Sequence, residues 1–261
     1  MITKHKLYQL IPVLVIITIF LQSCSSSTSV SDEELNINLS SDTTATDHEG
    51  NVYVIENEEG QDINSPIPTI SRYGADGVLQ WKIQYDNSPV KVAGIVITLD
   101  ELNRPWAVFH VNGDSGSSSY IRIKHVSENA FSNVYQPSYG MGGEADITLI
   151  ARINGTNGII EKATFLSAQL SNGNSNTLKA LAIGVNDRTV RIQAESLFTP
   201  PFIGSGYRPN PYATQFGDCN FFPTQIDLDI DLNNIEASRI FTMQQLLHEP
   251  YSAWHSNCER K

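Results

Sequence analysis

The chain of 261 residues is short of basic residues: 17 Lys and Arg stand against 28 Asp and Glu, a formal net charge of −11. Nucleic-acid binding needs a cationic surface to meet phosphate, and a polybasic anchor on anionic lipid needs the same, so both are excluded. Cysteine is scarce as well, three residues in all with no Cys-x-x-Cys spacing to hold a zinc ribbon. Glycine (17) and proline (12) occur in ordinary amounts, which excludes a collagenous or low-complexity chain. The apolar run Leu10 to Leu21 reaches about 18 Å as a helix, too short for a hydrocarbon core of about 30 Å. Helical periodicity is nearly missing, and only Met243 to His248 reads as helical.

What is present begins with an address. Lys4, His5 and Lys6 form a short basic stretch, the apolar run follows, and Leu21-Gln22-Ser23-Cys24 closes it. This N-terminus resembles that of bacterial lipoproteins, whose lipobox ends in an acylated cysteine. The resemblance implies cleavage before Cys24, acylation of its thiol (palmitate or a similar chain) and of the new amine, and a stable membrane anchor. Ser25 directly after it implies passage to an outer membrane, facing the periplasm or the cell surface. Residues 1–23 are thus the expected signal peptide, 24–47 a flexible acidic tether and 48–261 the folded domain. Ten acids and no Lys or Arg lie between Cys24 and Ser71, so the acidity belongs to the tether and the first strand region. With Cys24 lipidated, Cys219 and Cys258 remain as an even pair in an oxidising space. A bridge between them would close a loop of about forty residues and contribute on the order of 4 kcal/mol; the competing reading is two free thiols or a metal pair.

From about residue 50 onward, short apolar and β-branched runs follow one another with turn-rich gaps between them. They include Asn51 to Ile55, Leu79 to Tyr85, Ala93 to Leu99, Pro105 to Val111, Tyr120 to Val126, Ile147 to Ile153 and Ile159 to Leu166. Leu178 to Val185, Val190 to Ala194, Ile226 to Leu232 and Ile235 to Phe241 complete the set. Strands without intervening helices imply an all-β fold, a propeller or, as the alternative, a β-sandwich. Two phrases recur. A turn followed by a strand runs from Asp47 to Val54, returns from Asp100 to Val108, and returns degraded from Asn186 to Ile192. A strand, a polar turn and a strand run from Ser71 to Trp81 and again from Ala151 to Glu161, with looser copies from Ile121 to Val134 and from Asp227 to Phe241.

These phrases resemble the bacterial SBBP-type β-propeller repeats, which carry a turn-led strand and a hairpin once per blade. Ala151 to Pro201 is the closest match, while the Gly-Asn pair of the repeat survives only at Gly50-Asn51 and its hairpin Trp only at Trp81. The resemblance implies a small irregular propeller, and at about 45 residues per blade it implies four to five blades.

No motif assembles a catalytic constellation. Gly113-Asp114-Ser115-Gly116-Ser117 looks like a serine-protease nucleophile loop, but His48 lies too close in sequence for an intervening barrel, so it reads as a hairpin loop. Gly140 to Ala145 is glycine-rich yet precedes a strand, not the helix N-terminus that phosphate binding uses. His248, Glu249 and His255 lack zincin spacing, and Pro250 would break the required helix. His110 and His125 stand apart from other ligands. Asp227, Asp229 and Asp231 alternate with aliphatics and would share one strand face, a weak Ca²⁺ candidate beside the plainer reading of a solvated outer strand that discourages edge pairing. No cofactor is expected. Tyr207, Tyr212, Phe216, Phe221 and Phe222 crowd a Pro-rich stretch with few strand signals, a candidate ligand or partner surface.

The expectation is therefore an envelope lipoprotein anchored through Cys24, acting as a non-enzymatic binding or scaffold module. Its partner would be another envelope protein or a glycan, not nucleic acid. The alternative is a hydrolase or lyase acting on envelope or extracellular polysaccharide or peptide at the propeller channel.

Overall fold

The computed structural model describes residues 37–59, 66–85, 91–112, 125–139, 145–203, 206–207 and 221–241. Cys24, Cys219, Cys258, Tyr212, Phe216, the Ser115 loop, most of the Gly140 loop and the Met243 to His255 segment lie outside them. The fold is all-β, as the strand pattern implied, and no α-helix occurs among the described residues.

Among the described residues three four-stranded antiparallel sheets are present, two with strands in consecutive order and the third with a hairpin inserted between its second and third strands. The first holds β1 (Thr44–Thr46), β2 (Val52–Glu58), β3 (Ile67–Tyr73) and β4 (Leu79–Gln84). The middle sheet holds β5 (Val92–Leu99), β6 (Pro105–Asn112), β7 (Asp146–Ile153) and β8 (Ile160–Leu166). The third holds β11 (Leu178–Val185), β12 (Thr189–Leu197), β15 (Phe221–Asp229) and β16 (Ile235–Ile240). Two short hairpins interrupt this order: β9 (Ala168–Gln169) with β10 (Ser175–Asn176), and β13 (Pro201–Phe202) with β14 (Gly206–Tyr207).

Alternation along the strands decides what each sheet buries. On β6, Ala107, Phe109 and Val111 enter one core with Tyr53, Ile55 and Ile70 of the first sheet. Trp106 and Val108 point the other way, into a second core with Leu178, Ile192 and Ile226 of the third. The middle sheet is therefore enclosed on both faces. Burying each such aromatic or aliphatic side chain contributes roughly 1.5–3 kcal/mol.

The repeated phrases occupy repeated places. The first phrase joins the first two strands of each sheet: Asp47 to Asn51, Asp100 to Arg104 and Asn186 to Thr189. The left-handed residue of this turn is Gly50 (φ 84°) in the first sheet and Asn103 (φ 58°) in the middle one, the two residue types that tolerate that conformation best. The second phrase makes the β3–β4 and β7–β8 hairpins, and its looser copy makes β15–β16. A register shift marks all three, at Arg72/Tyr73, Arg152/Ile153 and Asp227/Leu228. Of the phrase from Ile121 to Val134, residues 125–134 are described, and they form no named strand. They run irregularly along β8, where Ile160 N donates to His125 O at 2.9 Å and Ala163 N to Ala130 O at 2.9 Å. It covers an edge that would otherwise invite pairing with another chain.

The described residues begin at Ile37, within the 24–47 stretch expected as tether. Residues 37–46 form a strap, with Ser40 bonded to Ile183, Asp42 O accepting from Ile97 N, and β1 paired to β2. Polar composition concealed this, because main-chain bonds and not apolar side chains hold most of the strap in place.

Candidate functional site

Most polar side chains that the sequence singled out are committed to building the turns. Asp47 Oδ1 accepts the main-chain N–H groups of Glu49 (2.9 Å) and Asn51 (2.8 Å), and Oδ2 accepts from Asn51 Nδ2 at 2.8 Å. Burial would raise the Asp47 pKa, but these bonds from Asn51 and Glu49 hold it below the usual carboxylate value. Asp100 repeats the arrangement, accepting Leu102 N and Arg104 N at 2.9 Å each, Arg104 Nε at 2.6 Å and Trp106 Nε1 at 3.0 Å. Asn186 does the same for Arg188 N (2.9 Å) and Thr189 N (2.8 Å). His48, once compared with a catalytic base, sits beside Asn103 of the neighbouring turn, with Nδ1 3.3 Å from Asn103 Nδ2.

The three candidate Ca²⁺ ligands separate. Asp227 is buried and forms a two-pronged ion pair with Arg191, whose Nε and Nη2 donate at 2.9 and 2.8 Å. Asp229 caps its own hairpin, accepting Asn233 N and Asn234 N at 2.9 Å each. Asp231 lies past the strand end, exposed in the turn. β15 is not the solvated outer strand of the plainer reading, since it is paired on both sides, to β12 and β16. Asp227 and Asp229 do share a strand face, but the oxygens of one are held by Arg191 and those of the other by the hairpin main chain. Burial, with Asp229 and Asp227 nearby, raises the pKa of Glu236 on β16.

Asp227 has counterparts in the other sheets. The cross-strand pairs Tyr53↔Arg72, Trp106↔Arg152 and Arg191↔Asp227 stand at the same register beside the shared bulge. In the first two an Arg lies over an aromatic ring, 5.6 Å from the Tyr53 centroid and 5.8 Å from that of Trp106. In the third, an ion pair replaces the cation–π contact. Arg191 was not singled out in the sequence, although a charge set between Val190 and Ile192 in an apolar strand was a signal for a buried partner.

The aromatic candidates also redistribute. Phe221 and Phe222 belong to β15, in register with Leu197 and Ser196, and Tyr207 ends the β13–β14 hairpin. β15 runs through Pro223, whose carbonyl still accepts from Phe241 N at 3.0 Å.

The junctions between sheets hold the remaining polar groups. Between the first and middle sheets, Trp81 Nε1 donates to Gly155 O at 2.9 Å and Tyr85 OH to Gly158 O at 2.6 Å. Burial raises the Tyr85 pKa far above its ordinary value, so this donor keeps its proton. Between the middle and third sheets, Thr148 Oγ1 donates to Leu178 O at 2.6 Å and accepts from Ala180 N at 2.9 Å. His110 Nε2 lies 2.8 Å from Ala180 O, and burial lowers its pKa, with Ala180 O and Asp146 opposing the change.

Fold and site together define an all-β protein of four-stranded antiparallel meanders whose carboxylates and imidazoles hold turns and junctions. No protein-family model matches the chain, and curated proteins include no significant match to it.

Proposed function

We propose that the protein is a membrane-anchored envelope lipoprotein whose body serves as a non-enzymatic binding or scaffold module built from propeller-like blades. The observation that carries the reading is the commitment of the turn acids: Asp47, Asp100 and Asp229 each accept from main-chain N–H groups of their own turn, and Asp47 and Asp100 give their second oxygen to side chains beside them. A carboxylate held this way is a turn-former, not a general acid or base. The blade reading is supported by three consecutive meanders that share the same first turn and the same outer bulge. Among the described residues such meanders number three, beside the four to five blades that the repeat length implies. Anchorage rests on the Cys24 context, and the partner would be an envelope protein or glycan recognised by shape and aromatic contact.

Pull-down of the full-length protein from detergent-solubilised envelopes tests the module. A reproducible stoichiometric protein partner supports it, whereas glycan binding with measurable turnover sinks it. A Cys24→Ala variant should leave the detergent phase; continued partitioning there would remove the lipid anchor.

A further inference from the structure

β5 and β11 each stand at the edge of a sheet, so their outward main-chain groups need partners from elsewhere. On β11 the early groups are served by the middle sheet, through Thr148 and His110. The later ones are served by the strap: Ser40 N donates to Ile183 O at 2.8 Å, and Ile183 N to Ser40 O at 2.9 Å. On β5 the side-chain amide of Asn57 clasps Gly94 through two bonds of 2.8 Å, and Ile97 N donates to Asp42 O at 3.0 Å. The strap then passes to the first sheet, where Ile55 N donates to Thr43 O at 2.9 Å. One short segment thus bonds to the opening strands β11 and β5 of two sheets and to β2 of the first.

The way it is held differs from the way the sheets are held. Its bonds to both edges are made by main-chain atoms, which any extended peptide can supply. Its one buried aliphatic side chain in this stretch is Ile37, at 8% exposure. Gly184 makes room for it: a Cβ there would lie 2.5 Å from Ile37 Cγ2 and 2.6 Å from Asn38 O. Residues 38–44 are otherwise exposed or half-exposed. Segments with few apolar contacts and solvent-facing hydrogen bonds open locally at a lower free energy than a core.

We propose that the Ile37–Asp42 strap is a releasable strand, and that its withdrawal bares the Ile183 half of β11 and the Ile97 slot of β5 as an acceptor for an extended segment of a partner protein. The strap itself is the template for that segment. It needs an aliphatic residue for the Gly184 notch, placed three positions before the residue that pairs with Ile183, and small polar residues after it. The inference rests on the binding-module reading and names where that module takes its partner.

Native-state hydrogen exchange on the full chain in low denaturant is the first measurement. The amides of Ile183 and Ile97 should exchange together, at least about tenfold faster than the β6–β7 ladder. Exchange of both only with global unfolding would overturn the inference. Ser40→Pro removes one donor and leaves the acceptor edge intact, so it should speed exchange at Ile183 by about tenfold further. A synthetic peptide of residues 37–46, titrated against this variant, should restore protection saturably, and the same peptide with proline at position 40 should not. If the variant fails to fold by near-ultraviolet circular dichroism, the labelled peptide is titrated against the wild-type protein. Absence of saturable binding there overturns the acceptor site. Concentration-dependent dimerisation that abolishes peptide binding would assign the site to a second copy instead, which also overturns it. A failed pull-down with intact peptide binding would count against the module reading alone.

Discussion

The middle sheet and the two that flank it use one meander to meet opposite demands. On β6, Pro105 to Phe109 are buried without interruption, because neighbouring residues serve different cores. On β4 no residue from Leu79 to Gln84 is fully buried, and exposed positions alternate with half-buried ones from Gln80 onward. β4 is an edge strand and reads its pleat on one face, whereas the interior strand β3 of the same sheet is buried from Pro68 to Ser71, with the small polar Thr69 and Ser71 on the face away from the core. The outward faces of the end sheets are polar in consequence. Glu58 pairs with Lys82 in the first sheet, and Arg191 with Asp227 in the third.

The most damaging way to test this contrast is at Trp106, which is fully buried and also donates to Asp100. Trp106→Ala should cost about 3–5 kcal/mol. Val54 faces outward on β2, in register with Ser71, and Val54→Ala should cost less than about 1 kcal/mol. Urea unfolding of both variants checks the pair, and equal losses would mean that the middle sheet is not enclosed twice.

The outward face of the third sheet gives the next effect. Asp227→Ala takes the two-pronged carboxylate away from the largely buried Arg191 guanidinium, at a cost of about 3 kcal/mol. Replacing both, as Arg191→Met with Asp227→Leu, should return stability to within about 1 kcal/mol of wild type, because the desolvation penalty goes with the charges. A double variant as unstable as the single one would show that the pair does more than satisfy itself.

These positions also mark how far the sequence could be read. The all-β class was legible because β-branched runs and turn residues recur without helical spacing. Copies of the first phrase fell at the same turn of each sheet, even where Asn103 had replaced the glycine. Of β3 only the end from Ser71 was legible, as the first strand of the hairpin phrase, since Pro68, Ser71 and Arg72 break the apolar pattern of a strand that its two partners fix. Asp227 read as a solvated charge because its partner sits 36 residues away on another strand. The strap was invisible for a related reason: main-chain pairing leaves no mark on composition.

A smaller effect separates turns that dock from turns that do not. Gly77 (φ 78°) and Gly158 (φ 73°) share a left-handed conformation, but a Cβ on Gly77 would meet nothing within 4 Å. On Gly158 it would lie 2.5 Å from Ile83 Cγ1 and 2.9 Å from Trp81 Cζ3. Gly77→Ala should therefore cost about 1 kcal/mol for backbone strain alone. Gly158→Ala should cost a further 1–3 kcal/mol or so, since it pushes the β7–β8 turn off the first sheet. Melting temperatures that fall equally in both would mean that this junction is slack.

The smallest effect concerns the junction on the other side, where His110 meets Ala180. For its Nε2 to donate to Ala180 O, that nitrogen must carry the proton of the neutral ring. Burial disfavours the charged ring, and Lys179 adds to that, while the Ala180 bond and Asp146 pull the other way; the net shift is downward. The unfolded chain therefore takes up a proton first as the solution is acidified. The stability that His110 contributes is complete above about pH 6.5 and is lost as pH falls from there toward the folded value. His110→Gln keeps an N–H for Ala180 O without a titrating group, so its urea midpoint should fall less than that of wild type between about pH 7 and about pH 5.5. Asp47 acts in a different window, since its lowered pKa withdraws stability only as pH falls below about 4. Equal losses in wild type and variant above about pH 5 would therefore remove His110 as the sensitive group, leaving the middle and third sheets joined by Thr148 and their shared core.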